Sequence, residues 1–197
     1  MQNPSSPPII LASSSRYRRR LLDRFLTEYQ AVAPGVDESA EQIDNPGEIA
    51  GRLARKKAEQ VASNYHNAVV IGADQVAIMD QQVLGKPGDH QRAIEQLLSA
   101  AGKSVTFMTA VCVLDPIELR RYEHVDRTEV RFRNFDRRLA ETYLWHDEPY
   151  DCAGSFKIEG AGFILFDYVR TDDPTALIGL PMIWLAVTLR ELGCLLP

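Results

Sequence analysis

The stretch SVTFMTAVCVL, Ser104–Leu114, followed after a short gap by EHVDRTEVRF, Glu123–Phe132, decides the fold class. The first segment is a nearly continuous apolar and β-branched run. The second sets Val125, Val130 and Phe132 among charges, the pattern of a strand with one half-exposed face. Two consecutive strands so close in sequence predict an antiparallel pair, because a parallel return needs a crossover of a dozen residues or more. The rest of the chain alternates strand and helix. The expectation is therefore α/β with a mixed central sheet flanked by helices, not a purely doubly wound parallel sheet.

Upstream of that pair, Ile9–Ala12 is a short apolar strand, followed by an arginine-rich stretch with Leu21, Leu22, Phe25 and Leu26 at helical spacing. A polar loop spans Pro34–Asp44. Asn45-Pro46-Gly47-Glu48 then supplies a cap, a proline at the first helical position and an acid in the first turn, predicting a helix to about Tyr65. Ala68–Ala73 reads as a buried strand ending at Asp74, and Val76–Met79 with Val83–Leu84 as a small hairpin around Asp80-Gln81-Gln82. Asp89 caps a helix closed by Gly102. Downstream, Asp136–Trp145 reads as a helix, Phe163–Val169 as a strand, and Pro181–Leu192 as a last helix stopped by Gly193.

Composition narrows the class. The chain has 197 residues, 45% apolar and 25% charged, enough for one substantial core and unlike a disordered chain. No linker, low-complexity tract or repeat divides it, so residues 1–197 read as a single domain, with 1–8 a flexible N-terminal extension. A net charge of -5 disfavours a dedicated nucleic-acid binder. Leu177–Leu189, interrupted by Gly179 and Pro181, is shorter than the roughly 20 residues of a membrane span. Cys112, Cys152 and Cys194 are odd in number and widely spaced, which suits neither a disulfide framework nor a CxxC zinc site and points to a cytoplasmic setting.

Five places carry candidate chemistry. Ser13, Ser14 and Ser15 end the first strand and run into Arg16, Arg18, Arg19 and Arg20, an arrangement of hydroxyls and guanidinium groups suited to a phosphate-sized anion. Its plainer reading is a serine cap followed by solvated arginines. Asp74 follows a buried strand, where a carboxylate can hold a divalent cation, accept a proton, or simply shape a turn. Asp37 and Glu38 add acids in a polar loop. Lys86, in Gly85-Lys86-Pro87, and Lys57, in Arg55-Lys56-Lys57, add cations that are otherwise ordinary wet-face charges. The familiar alternatives are absent: there is no GxxxxGK(S/T) loop, and Gly160-Ala161-Gly162 lacks a third glycine. The four histidines form no HExxH pair, and no GxSxG elbow occurs. Carboxylates and cations suit metal-assisted attack of water on a polyphosphate.

Seven motifs in order, Leu11-Ala12-Ser13-Ser14-Ser15 with Arg18, Val36-Asp37-Glu38, Lys57-Ala58, Ile71-Gly72-Ala73-Asp74-Gln75, Gly85-Lys86-Pro87, Ala153-Gly154-Ser155-Phe156 and Ile178-Gly179-Leu180-Pro181, resemble the Maf-like nucleotide pyrophosphatases over nearly the whole chain. The resemblance implies a two-lobed, inosine-triphosphate-pyrophosphatase-like (Ham1-like) fold. It also implies a cytoplasmic enzyme that splits nucleoside triphosphates into monophosphate and pyrophosphate with a divalent metal, Mg2+ or Mn2+, and a homodimer. Asp74-Gln75 with Cys152–Gly160 is similar to the branch acting on 7-methyl-GTP.

Carried over residue by residue, the resemblance makes Asp74 the proton acceptor and Tyr17, Gln75 and Glu159 the specificity positions. Ser13, Arg18, Lys57 and Lys86 fall on phosphate positions, and Glu38 and Asp74 on metal positions. The 7-methylguanine ring is cationic, so an aromatic face such as Tyr17 and a carboxylate such as Glu159 suit it. Arg16 and Tyr17 depart from the branch, which usually has proline and tryptophan there. Arg18 and Asp74 are expected to face one another across a phosphate-wide groove. Two alternatives stay open: the same reaction on dTTP, UTP or other nucleotides, and a non-enzymatic division-arrest regulator whose basic helix Arg16–Arg24 meets a partner.

Overall fold

The structure is a computed structural model that describes residues 6–37, 45–115 and 117–195. In chain order its elements are β1 (Ile9–Ala12), α1 (Arg16–Leu22), β2 (Gln30–Val32), α2 (Pro46–Ala62), β3 (Val69–Met79), β4 (Gln82–Leu84), α3 (His90–Ala100), β5 (Ser104–Asp115), β6 (Arg120–Phe132), α4 (Arg137–Asp147), β7 (Phe166–Arg170) and α5 (Met182–Glu191), with 3-10 turns at Ala161–Leu165 and Ala176–Ile178. The strands form one mixed sheet in the order β2-β1-β3-β5-β6-β7, with β4 added to β3. β1 lies parallel to both β2 and β3, whereas β3–β4 and β6–β7 are antiparallel. The mixed α/β expectation is met, and neighbouring β5 and β6 are joined by residues 116–119 alone, a connection compatible only with an antiparallel return.

The chain divides into two compact units. One comprises Met1–Gln75, Thr109–Asp126 and Asp173–Pro197, and the other Val76–Met108 and Arg127–Asp172. Strands β3, β5 and β6 contribute residues to both. Residues 1–5 of the expected N-terminal extension lie outside the described residues. Pro8 is tied down, its carbonyl accepting from the Val69 N–H at 2.8 Å.

The first unit buries Leu11, Ile71, Ala73, Val111 and Val113 of the sheet against Leu21 and Leu22 of α1 and Leu185 and Leu189 of α5. Each fully buried Leu or Ile contributes about 1.5–3 kcal/mol relative to exposure. The opposite face of β3 receives α2, and Gly72 sets how closely. A Cβ at Gly72 would stand 2.2 Å from the Ala54 carbonyl oxygen and 2.6 Å from the Ala58 nitrogen, so only glycine lets this helix lie on this strand. α2 begins as its sequence dictates, with Asn45 accepting from the Gly47 N–H at 3.1 Å and Pro46 opening the helix. The second unit is centred on edge-to-face contacts among Phe107, Phe132, Phe156 and Phe166, with ring centroids 4.7–5.7 Å apart.

Four expectations are corrected. β3 does not end at Asp74 but continues to Met79. A strand can carry this acid because its charge is paired, and the reversal falls at Asp80 and Gln81, whose φ values of 50° and 65° make the two-residue hairpin turn. α1 stops at Leu22, so Phe25 and Leu26 follow the helix instead of belonging to it. β6 begins at Arg120, ahead of Glu123. The region from Phe163 is a 3-10 turn up to Leu165, with β7 starting at Phe166, because Asp147 captures the Ala161 N–H at 2.8 Å and the Gly162 N–H turns back to the Lys157 carbonyl at 3.2 Å.

Candidate active site

The parallel register of β1 with β3 runs from Ile9 opposite Val69 to Ala12 opposite Gly72. β1 then leaves the sheet as Ser13–Ser15 while β3 continues, so Asp74 and Gln75 lie just past the carboxyl end of β1, the position where open α/β sheets take ligands. Alternation along β3 separates the two side chains. Asp74 shares the face of Gly72 beneath α2, and Gln75 shares the face of Ile71 and Ala73.

On the α2 face, the Lys57 ammonium donates to the Asp74 carboxylate at 2.5 Å, and both residues are buried, at 5% and 7% exposure. Gly72 permits this pair, since the close approach it allows brings the Ala54–Ala58 turn of α2, which carries Lys57, onto β3. A buried lysine and aspartate are tolerable only together; removing one partner leaves an uncompensated charge at a cost of about 3–5 kcal/mol.

On the other side, Ser13 is buried and its hydroxyl oxygen accepts from the Ser15 N–H at 3.2 Å and from the Arg18 guanidinium at 3.3 Å. Ser15 caps α1 by accepting from the Arg18 N–H. Arg18 also donates from Nε to the Gly179 carbonyl at 3.0 Å. Two positions upstream, Arg16 donates to the Tyr17 hydroxyl at 2.8 Å and its guanidinium carbon lies 4.9 Å from the Tyr17 ring centroid, a cation–π contact. The aromatic face assigned to a cationic base thus already carries a cation of this chain.

Gln75 donates from Nε2 to Thr109 Oγ1 at 2.9 Å, to the Ala176 carbonyl at 3.0 Å and to the Leu177 carbonyl at 3.2 Å. Thr109, fully buried on β5, donates in turn to the Ala176 carbonyl at 2.9 Å. The segment 176–179 therefore holds both Gln75 and Arg18. It is anchored by Asp173, whose carboxylate accepts from the Thr175 N–H at 2.8 Å, the Thr175 hydroxyl at 2.5 Å and the Ile183 N–H at 2.7 Å. The Met182 N–H donates to Thr175 Oγ1 at 3.0 Å, so Asp173 and Thr175 satisfy the start of α5, where Pro181 offers no side-chain cap.

Among the expected residues, Lys57 pairs with Asp74, Ser13 accepts from Arg18, and Gln75 and Arg18 both bond the segment 176–179. Lys86 and Glu159 belong to the second unit, where each is exposed. Glu38 lies outside the described residues. Thr109, Asp173 and Thr175 were not singled out from sequence: Thr109 reads as an ordinary β-former, although Asp173-Pro174-Thr175 has the composition of a side-chain-capped turn.

A family match covers residues 8–192 and is described as Maf-like protein. This chain belongs to the Maf-like family. Among the relatives of this Maf-like chain, a 7-methyl-GTP pyrophosphatase of Xanthomonas axonopodis pv. citri (strain 306) is 49% identical across 97% of this chain and 100% of its own length. A 7-methyl-GTP pyrophosphatase of Ralstonia nicotianae is 46% identical across 94% of this chain and 95% of its own. The solved structure of the Staphylococcus aureus Ham1 protein aligns with 79% of the chain and 89% of itself at a TM-score of 0.48 and 14% identity.

Among the described residues, no three His, Cys, Asp or Glu side chains come together as a metal-ligand set. Mg2+ commonly binds through one or two carboxylates together with substrate phosphates and retained waters. The single Asp74 carboxylate fits such a shared ion. Among the described residues no helix is long and apolar enough to cross a membrane.

Proposed function

We propose that this chain hydrolyses 7-methyl-GTP to 7-methyl-GMP and pyrophosphate. The observation that carries the reading is the buried Lys57–Asp74 pair placed just past the end of β1, next in sequence to Gln75. In the free protein the two charges satisfy each other. An arriving triphosphate offers Lys57 a stronger acceptor, since an ammonium has three donors and phosphate oxygens compete well for them. The released Asp74 carboxylate then accepts a proton from water as its oxygen attacks the α-phosphorus. The bond from that phosphorus to the oxygen bridging the β-phosphate breaks, and pyrophosphate leaves.

Ser13 and Arg18 bind phosphate oxygens in this reading, with Lys86 contributing a further cation. A divalent cation, Mg2+ or Mn2+, would be held by Asp74, with Glu38 as a second candidate ligand, and would supply charge neutralisation on the triphosphate. Gln75, Tyr17 and Glu159 recognise the base. The relatives at 49% and 46% identity, matched end to end and named for 7-methyl-GTP, support this substrate over dTTP or UTP. Nucleoside triphosphates are a cytoplasmic pool, and we place the enzyme there, as a homodimer whose stoichiometry sedimentation would measure.

The test is pyrophosphate release from 7-methyl-GTP, GTP, dTTP, UTP and CTP, with and without Mg2+ or Mn2+. The expected result is metal-dependent turnover with the highest kcat/KM on 7-methyl-GTP. A preference for dTTP or UTP would reject the substrate, and no turnover of any nucleotide would reject the activity.

A further inference from the structure

The hydrogen atoms around Gln75 can be counted. The Thr109 hydroxyl has one proton, and it goes to the Ala176 carbonyl at 2.9 Å. Toward Gln75, Thr109 therefore offers only a lone pair. The other two groups near the amide, the Ala176 and Leu177 carbonyls, are also acceptors. Three acceptors demand the NH2 end of the amide, whereas the flipped amide would set its carbonyl oxygen against two backbone carbonyls with no hydrogen between them.

The orientation of Gln75 is thus dictated, and Oε1 is turned the other way. No described residue donates to Oε1. Every fully buried polar side-chain atom among the described residues has a partner, so this unpartnered oxygen is not fully buried, and Gln75 itself is half-buried. It is an oriented acceptor on a residue that lies just past the carboxyl end of β1.

We infer that Thr109 is a positioning residue for base recognition: by fixing the Gln75 amide it presents Oε1 to an N–H donor on the edge of the bound base, such as the N1–H or the 2-amino group of guanine. This rests on the proposed reading of Gln75 as a base-recognition residue. Without Thr109 the amide is held by the Ala176 and Leu177 carbonyls alone, so Oε1 is fixed less firmly against the donor on the base. A protein group built to pair with a substrate donor discriminates strongly when that pairing is broken.

The test is steady-state kinetics on 7-methyl-GTP for the wild type, Thr109→Val, Thr109→Ser, Gln75→Leu and the Thr109→Val/Gln75→Leu double variant. Thr109→Val is expected to raise KM about tenfold, the effect of one hydrogen bond, with kcat within about twofold of wild type. Thr109→Ser, which keeps the hydroxyl, is expected to restore wild-type KM. The double variant is expected to match Gln75→Leu alone, because Thr109 acts through Gln75. If Thr109→Val does not fold, Thr109→Ala is subject to the same expectations. A wild-type KM in the Thr109 variants, or effects that add to Gln75→Leu, would overturn the positioning role. An unchanged KM in Gln75→Leu would instead overturn the reading of Gln75 itself.

Discussion

The Lys57 ammonium and the Asp74 carboxylate stand 2.5 Å apart, both buried, one on a helix and one on the strand beneath it. Seventeen positions separate them in sequence, and Gly72 is what lets the two backbones come close enough for the pair to form.

Asp74→Asn is expected to lower turnover by ~100-fold or more, the usual contribution of a proton acceptor, while nucleotide binding persists. It also removes the Asp74 carboxylate from the buried Lys57 ammonium, so stability should fall by about 3 kcal/mol. Pyrophosphate release, calorimetric titration with nucleotide and thermal melting separate these effects. Wild-type turnover would remove Asp74 from the chemistry.

Gly72→Ala is expected to push α2 off β3, since the new Cβ would meet backbone atoms of Ala54 and Ala58 that cannot rotate away. Overpacking of this kind costs about 2–3 kcal/mol, a fall of roughly 5–10 °C in Tm for a chain of this size. Activity should drop as well, because Lys57 moves with the helix. A variant melting at the wild-type temperature would contradict the tight contact.

Arg16→Ala is expected to tighten binding of 7-methyl-GTP by about two- to fivefold, by freeing the Tyr17 face now occupied by the Arg16 guanidinium. Competition between 7-methyl-GTP and GTP in the variant reads this directly. Weaker selectivity after the substitution would mean that Arg16, not Tyr17, faces the base.

Thiol labelling at pH 8 is expected to modify Cys152 first. Burial pushes the Cys112 thiol up to about 12, with the Glu123 carboxylate adding to the effect, and burial pushes Cys194 up to about 11, with Asp115 adding. Both stay protonated and inaccessible in the folded protein, so they should react only after denaturation. Mass spectrometry of peptides labelled before and after unfolding provides the check.

The Arg55 guanidinium donates to both oxygens of Glu123, at 2.6 and 3.0 Å, and holds that carboxyl below its ordinary range. A carboxyl lowered on folding stabilises the protein above its unfolded value of about 4.3, and the benefit disappears as pH falls through the folded value. Each partner is a third or more exposed, so the contribution after screening is at most about 1 kcal/mol. Glu123→Gln should therefore melt slightly lower than wild type at pH 7, with the difference shrinking toward zero as acid protonates Glu123. A gap that widens in acid would reverse the assignment.

Much of the scaffold was legible because its signals are local. Asn45, Asp89 and Asp136 each cap the helix their position announces, since a cap needs only a side-chain oxygen and an N–H two or three residues on. The β5–β6 pair was readable from two apolar stretches joined by a short connection. The run through Asp74 was misjudged because an acid in a strand ordinarily marks its end, and nothing nearby in sequence reveals that a lysine from α2 will neutralise it.

Sequence by itself determined the order and type of most elements, the buried strand that leads into Asp74, and the resemblance that pointed to a nucleotide pyrophosphatase. Only the tertiary structure decided which charges meet, that Asp74 and Gln75 face opposite sides of the sheet, and that Thr109 and the segment 176–179 orient Gln75. The physical reason is range. Caps and periodicity act within a few residues, whereas the bonds from Arg18 to Gly179 and from Gln75 to Ala176 join groups 161 and 101 positions apart, which meet only once the sheet has brought their strands and loops together.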